Sequence, residues 1–176
     1  MPFAAALLVS QPQQAVFNDV FRIANTDQFA LGLPPHMSFA VFDEVDIVQL
    51  DRAMERFADS TQPLELCISS IAMFPVEQPV VYALPTVTSA LLDAQRRFHS
   101  ELGGLAERCW DYYKPNLWSP HLALGGADSL ESALRIISVA YDAKLRGNYL
   151  FDQMVLIESP PVKIISVHKL GHDNCT

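Results

Sequence analysis

The chain has 176 residues, 50% of them apolar and 18% charged, with a formal charge of −8. That composition is globular and the length suits one compact domain with a sizeable core, which excludes a disordered or low-complexity chain. Its 12 Lys and Arg stand against 20 Asp and Glu, so it can neutralise one or two phosphates locally but is a poor grip for long duplex nucleic acid.

The opening run MPFAAALLVS is apolar but lacks a basic flank and is too short to span a bilayer. Residues 3–10 read as a buried first strand, and the protein is expected to be cytoplasmic with no membrane partner. Gln13 to about Asn25 reads as a helix with an apolar stripe of Val16, Phe17, Val20, Phe21 and Ile23. Gly32 to Pro35 breaks the chain before a strand at about 36–42. Asp43 is a plausible N-cap for a helix reaching about Ala58. Leu64 to Phe74 and Gln78 to Leu84 read as strands, with a turn at Pro75. Pro85 and Thr86 start a helical region that reaches about Lys114 and breaks at Gly103 and Gly104. A strand follows at about 119–124. Asp128 or Ser129 caps a helix to about Lys144. Gly147 to Glu158 and Val162 to Leu170 close the chain as strands joined by Ser159-Pro160-Pro161, and the tail from Gly171 reads as loose.

Two short segments carry the chemistry, Pro35-His36-Met37-Ser38-Phe39 and Pro120-His121-Leu122-Ala123-Leu124. Side chains alternate along a strand. His36, Ser38 and Ala40 therefore share one face, and His121, Ala123 and Gly125 share another, each opposite an apolar face. A histidine followed by small residues is the lining of an open cleft. His36 and His121, Leu64 and Tyr149, and Pro75 and Pro160 each lie 85 residues apart. That common offset makes 36–84 and 121–170 an internal repeat within a single domain over 1–176. The fold class is α+β, bilobal, with two pseudo-symmetric and mostly antiparallel sheets, outer helices and a central cleft.

A neutral and a protonated imidazole make a general base and a general acid near neutral pH. In-line attack on a phosphodiester needs such a pair on either side of phosphorus, and a hydroxyl on the same face can donate to its non-bridging oxygens. No metal is required, no carboxylate cluster has ligand spacing, and no cofactor is expected. The cysteines, Cys67, Cys109 and Cys175, are odd in number and lack CxxC spacing, against a disulfide framework or a zinc site. Cys67 reads as a small core residue.

His36-Met37-Ser38-Phe39 and His121-Leu122-Ala123-Leu124 resemble the paired H-x-(S/T)-hydrophobic motifs of the 2H phosphoesterase superfamily, which includes the 2′-5′ RNA ligase-like proteins and cyclic phosphodiesterases. Trp118-Ser119-Pro120-His121 is similar to the family's approach to its second motif, and Val155 to Ser159, followed by a strand and Leu170-Gly171, to its C-terminal pattern. The resemblance covers essentially the whole chain. It implies hydrolysis of 2′,3′-cyclic or 2′-5′ phosphodiester bonds, or the reverse RNA ligation, on a nucleotide or RNA-end substrate. It implies His36 and His121 as the acid–base pair and Ser38 as a phosphate donor. The departure is Ala123, where the family has Ser or Thr. That leaves a second outcome, a nucleotide- or RNA-end-binding protein of the same fold without turnover.

Tyr112, Tyr113 and Lys114 are donors that could replace the missing hydroxyl. Tyr113 and Trp118 are candidates to stack a base, and Lys114 to meet phosphate. As ordinary residues the aromatics fill the core or its rim, Lys114 is a surface charge, His168 is a strand histidine, and His99 and His172 face solvent. The oligomeric state is not legible.

Overall fold

The computed structural model describes residues 2–171. The strands are β1 (Phe3–Val9), β2 (His36–Phe42), β3 (Leu64–Phe74), β4 (Val80–Pro85), β5 (Leu122–Gly126), β6 (Gly147–Glu158) and β7 (Lys163–Lys169). The helices are α1 (Gln14–Ala24), α2 (Asp27–Leu31), α3 (Ile47–Asp59), α4 (Ser89–Leu102) and α5 (Leu130–Asp142), so the chain is α+β. The stretch beyond Gly171 that was expected to be loose, with His172 and Cys175, lies outside the described residues.

All strand pairs are antiparallel, in the order β2-β1-β6-β3-β4-β5, with β7 also on β6. The long strand β6 joins two lobes. Its residues from Gly147 to Phe151 pair with β3, which carries β4 and β5. Its residues from Gln153 onward pair with β7 on one edge and β1 on the other, and β1 carries β2. The expected two sheets are thus two lobes hydrogen-bonded through one strand. β2 and β5 stand at opposite ends of the strand order, yet the curled sheet brings them into contact, which is the twist of antiparallel strands carried far enough to fold the edges together.

The helices form where apolar periodicity meets a cap. Asp46 caps α3 by accepting from the Gln49 amide at 3.1 Å, three residues after the expected Asp43. Thr88 caps α4 from the Leu91 amide. Ser129 caps α5 in a reciprocal box with Ser132. The helical region expected from Pro85 to Lys114 is one α-helix ending at Leu102, where Gly103 has φ +54, followed by 3-10 turns at Gly103–Arg108 and Asp111–Tyr113. α2 was not expected. Its short span carries no apolar repeat, and it is fixed from outside by Asp27, whose Oδ1 accepts from the Gly126 amide at 2.9 Å.

The core beneath β2 is aromatic. Phe39, Phe57 and Phe98 are fully buried with centroids 5.4–6.2 Å apart, and Trp118 meets Phe39 edge-on at 5.2 Å. Burying each ring contributes roughly 1.5–3 kcal/mol. A second, small apolar cluster of Ala6, Leu8, Val155 and Ile157 sits apart from this core.

Candidate active site

His36 opens β2 and His121 immediately precedes β5. His36 lies opposite Leu8, and Ser38 opposite Ala6. Directly opposed residues of an antiparallel pair share a face, so His36 and Ser38 stand on the small-cluster side. The next residue breaks the alternation. Ala5 pairs with Ala40 and Ala6 with Ser38, leaving Phe39 as a bulge. Ala40 and Phe42 then join Met37 and Phe39 in the main core, so Ala40 does not share the His36 face, a correction of the simple period of two. β5 repeats the device. Val81 pairs with Gly125 and Tyr82 with Ala123, leaving Leu124 as the bulge. Each bulge falls three residues after its histidine.

The two imidazoles are oriented alike. His36 Nδ1 lies 2.7 Å from the Pro34 carbonyl, and His121 Nδ1 lies 2.8 Å from the Ser119 carbonyl. A carbonyl can only accept, so each Nδ1 carries the proton and each Nε2 is left with a free lone pair when neutral. Burial lowers both pKa values from the ordinary 6.5. The Pro34 and Ser119 carbonyls oppose that shift, and the charge of His121 lowers His36 further.

Around His121 the sheet supplies aromatics that sequence reasoning missed. Tyr82 is 5.6 Å from the His121 ring, Phe74 is 5.1 Å from it, and these two stack on each other at 4.2 Å. The pairing register of β4 on β5, which places Tyr82 opposite Ala123, brings it there. Tyr113, a predicted residue, is 6.2 Å from His121. Its hydroxyl is pushed up to about 12 by burial, so it stays a neutral donor. A cavity of about 340 Å³ beside Pro120 is lined by Tyr82, Leu84, Trp118, Gln95, Arg96 and Asn116.

Several expectations change. Trp118 is 7% exposed, and its Nε1 donates to the Ser38 carbonyl at 3.1 Å. It holds the histidine strand, and the little surface it shows lines the cavity beside Pro120. Lys114 binds Asp111 at 2.8 Å, so it is spent on a turn, and it lines a cavity with Arg96, His99 and Glu107 that includes neither His36 nor His121. His99 is buried, not solvent-facing, with Nε2 3.1 Å from the Phe39 carbonyl. Cys67 is exposed, because Leu66 and Ile68 on either side of it take the inward face of β3. His168 binds Asp51 at 2.7 Å, where β7 meets α3.

Gln95, His99 and Trp118 share one task. Among the described residues β2 pairs only with β1, so its outer carbonyls need other donors. Trp118 serves Ser38. Gln95 and His99 serve Phe39, and the Trp110 amide serves Val41 at 2.9 Å.

Among the described residues, no three His, Cys, Asp or Glu converge to hold a metal ion. No helix there is long and apolar enough to cross a membrane.

A family model for the 2′-5′ RNA ligase superfamily matches residues 10–160. Among solved structures, the chain is similar to TT0787 of Thermus thermophilus, at 14% identity and a TM-score of 0.66, covering 98% of this chain and 100% of that one. It is similar to E. coli LigT complexed with 3′-AMP, at 11% identity and a TM-score of 0.58, covering 97% and 99%. A structure described as a phosphoesterase matches at 11% identity and a TM-score of 0.58, covering 97% and 98%. At these identities the likeness is one of fold. No curated protein matches the chain.

Proposed function

The chain belongs to the 2′-5′ RNA ligase superfamily of 2H phosphoesterases, and from that premise we propose that it is a metal-independent phosphodiesterase in which His36 and His121 are general base and general acid. The observation carrying this is the matched pair of Nδ1–carbonyl bonds, which leaves two Nε2 atoms free to exchange protons.

The substrate we propose is a 2′,3′-cyclic or 2′-5′ phosphodiester in a nucleotide or at an RNA end. One neutral Nε2 takes a proton from water as its oxygen bonds to phosphorus. The ribose P–O bond opposite breaks, and the other imidazolium gives its proton to the departing oxygen. The product is a phosphomonoester and a free hydroxyl. With an RNA hydroxyl in place of water attacking a 2′,3′-cyclic phosphate, the same steps join two ends as one ring P–O bond breaks and the ribose oxygen takes the proton. Ser38 donates to a non-bridging oxygen as charge builds there. The LigT structure with 3′-AMP supports a nucleotide ligand. The common order of strand, helix, long strand and strand in β2-α3-β3-β4 and β5-α5-β6-β7 supports reading 36–84 and 121–170 as repeats in one bilobal domain.

Ala123 favours one alternative, a protein that binds a nucleotide or RNA end and does not turn it over. Incubation with 2′,3′-cyclic AMP in EDTA separates the two. The enzyme reading expects turnover that falls by about 10²-fold or more in both His36→Ala and His121→Ala. Turnover that persists in both variants, or that needs a divalent ion, defeats it.

A further inference from the structure

We propose that the open edge of β3 pairs, antiparallel, with the same edge of a second copy of this chain, about a twofold axis at Ala72. The proposal does not depend on the phosphodiesterase reading.

β3 is flanked on both sides over only part of its length. Ile68 pairs with Gly147 of β6 on one side and with Pro85 of β4 on the other. Past the register shift at Ser69, residues 70–74 pair regularly with β4, from Ser70 opposite Leu84 to Phe74 opposite Val80. Among the described residues no strand pairs with their other edge. The equivalent edge of β6 is filled. β3 and β6 pair through Leu64 with Phe151 and Leu66 with Tyr149. The 85-residue offset carries Leu64 onto Tyr149 and Leu66 onto Phe151, so it exchanges the two strands and keeps their pairing. The same offset carries residues 68–73 of β3 onto 153–158 of β6. On that edge β6 bears the antiparallel strand β7, from Gln153 with Lys169 to Glu158 with Lys163. The His36 lobe thus fills this edge from within the chain, and the His121 lobe leaves it open.

The edge suits a second copy. An open edge is ordinarily guarded by charges, yet residues 68–76 carry none, in a chain of formal charge −8. Two copies that repel overall can meet there. A twofold axis at Ala72 sets Ser70 opposite Phe74 and Ile71 opposite Met73, which uses every residue of the open stretch. Ile71 and Met73 pack against the main core, so the pairing extends that apolar face across the axis. The ends are complementary in charge. Just past the paired stretch of one copy, Val76 and Glu77 form an exposed turn. It meets the other copy where β6 begins, at a cavity of about 470 Å³ lined by Ile68, Ser69, Asp142, Lys144, Leu145 and Arg146 among others. Val76 finds apolar walls there, and Glu77 finds two cations against one carboxylate. Among the described residues Glu77, Lys144 and Arg146 have no ion-pair partner. Each contact occurs twice, once on either side of the axis, as an isologous interface requires.

Sedimentation equilibrium over a range of protein concentrations at low salt tests the pairing. The weight-average mass is expected to rise from that of one chain to that of two and to stop there. Ala72→Lys sets two like charges opposite each other on the axis and is expected to weaken the dimer about fivefold or more. Glu77→Lys changes only an exposed turn, so it tests the pairing even where the strand variant fails to fold. Glu77→Lys and Arg146→Glu should each weaken the dimer about threefold or more, and combining them should restore it. A chain that stays monomeric into the millimolar range overturns the proposal and leaves the edge to an extended segment of another protein. A dimer unmoved by Ala72→Lys and by both charge variants, or assembly that continues past two copies, overturns it as well.

Discussion

His36 and His121 are held by the same bond, Nδ1 to the carbonyl two residues earlier, at 2.7 and 2.8 Å. The residue preceding each is a proline, Pro35 and Pro120, whose fixed φ limits how the chain can enter the strand. A short local loop therefore sets the tautomer and aim of each ring, with no distant partner needed. Two such loops, brought together by closure of β2 on β5, give two free Nε2 atoms of the same kind.

The pH dependence follows from the lowered pKa values. Catalysis by the pair, as proposed, requires one neutral and one protonated imidazole, so the active form fills the interval between the two macroscopic values of the pair. Burial lowers both below the ordinary 6.5. The maximum of kcat/KM is expected below pH 6.5, with an alkaline limb falling about tenfold per unit as the acid loses its proton. Bound phosphate is negative and favours the imidazolium, so the kcat profile should lie to the alkaline side of the kcat/KM profile. Stability has the same sign. Above pH 6.5 both rings are neutral folded and unfolded. As pH falls below 6.5, the unfolded rings gain protons that the buried ones resist, and folding weakens. A kcat/KM optimum above pH 7.5 contradicts this account.

Trp118→Phe isolates the clamp on β2. Phenylalanine keeps a ring against Phe39 but cannot donate to the Ser38 carbonyl. A buried acceptor left without a partner costs about 1–3 kcal/mol, seen as a lower midpoint in urea. Because the bond fixes the strand between His36 and the bulge at Phe39, kcat should fall more than KM rises. An unchanged kcat would leave Trp118 with packing alone.

The elements were legible in the sequence because burial enforces periodicity. β3, β6, α1 and α5 stand within a few residues of their expected bounds, each marked by an apolar repeat and a Pro, Asn or Ser at one boundary. The two histidines were legible because Pro-His opens both strands at a shared offset. What was hidden arises from contacts distant in sequence. The bulges at Phe39 and Leu124 depend on partner strands, so a simple alternation misplaced Ala40. Phe74 and Tyr82 approach His121 only through the β3-β4-β5 register. His99 and Trp118 are drawn inward by unpaired carbonyls on an edge strand, which no pattern local to α4 or to the Pro120 approach records.

Gly125→Ala tests how tightly β5 is seated. A Cβ at Gly125 would stand 2.7 Å from Thr26 Cβ and 2.8 Å from its Cγ2, and Thr26 is buried at the start of α2. Overpacking of this kind costs about 1–3 kcal/mol. Gly104 has no atom within 4 Å of the same construction, so Gly104→Ala should be neutral, or stabilising by up to about 1 kcal/mol. Thermal melts of the two variants compare them directly. Equal midpoints would show that α2 can move away from β5 at no cost.

Ala123→Thr asks whether the missing hydroxyl limits the rate. Ala123 is half-buried, opposite Tyr82, on the same face as His121, and a β-branched side chain suits a strand. Ser38 stands at the matching position on β2, so the site carries one of two hydroxyls. A hydrogen bond to a charged group is worth about 1.5–3 kcal/mol, which corresponds to about 10- to 100-fold in rate. Ser38→Ala is therefore expected to lower kcat by about that factor, and Ala123→Thr to raise it by about tenfold. Tyr113 modifies the second expectation. Its hydroxyl is neutral and its ring lies against His121. If that hydroxyl already serves the oxygen that a motif Thr would reach, Ala123→Thr gains little in the wild type and much more in a Tyr113→Phe background. The double-mutant cycle between positions 113 and 123 decides this. Additive effects assign Tyr113 to packing, and compensation assigns it the lost donor's place. A Ser38→Ala variant with the full wild-type rate would show that neither strand's hydroxyl position meets the phosphate.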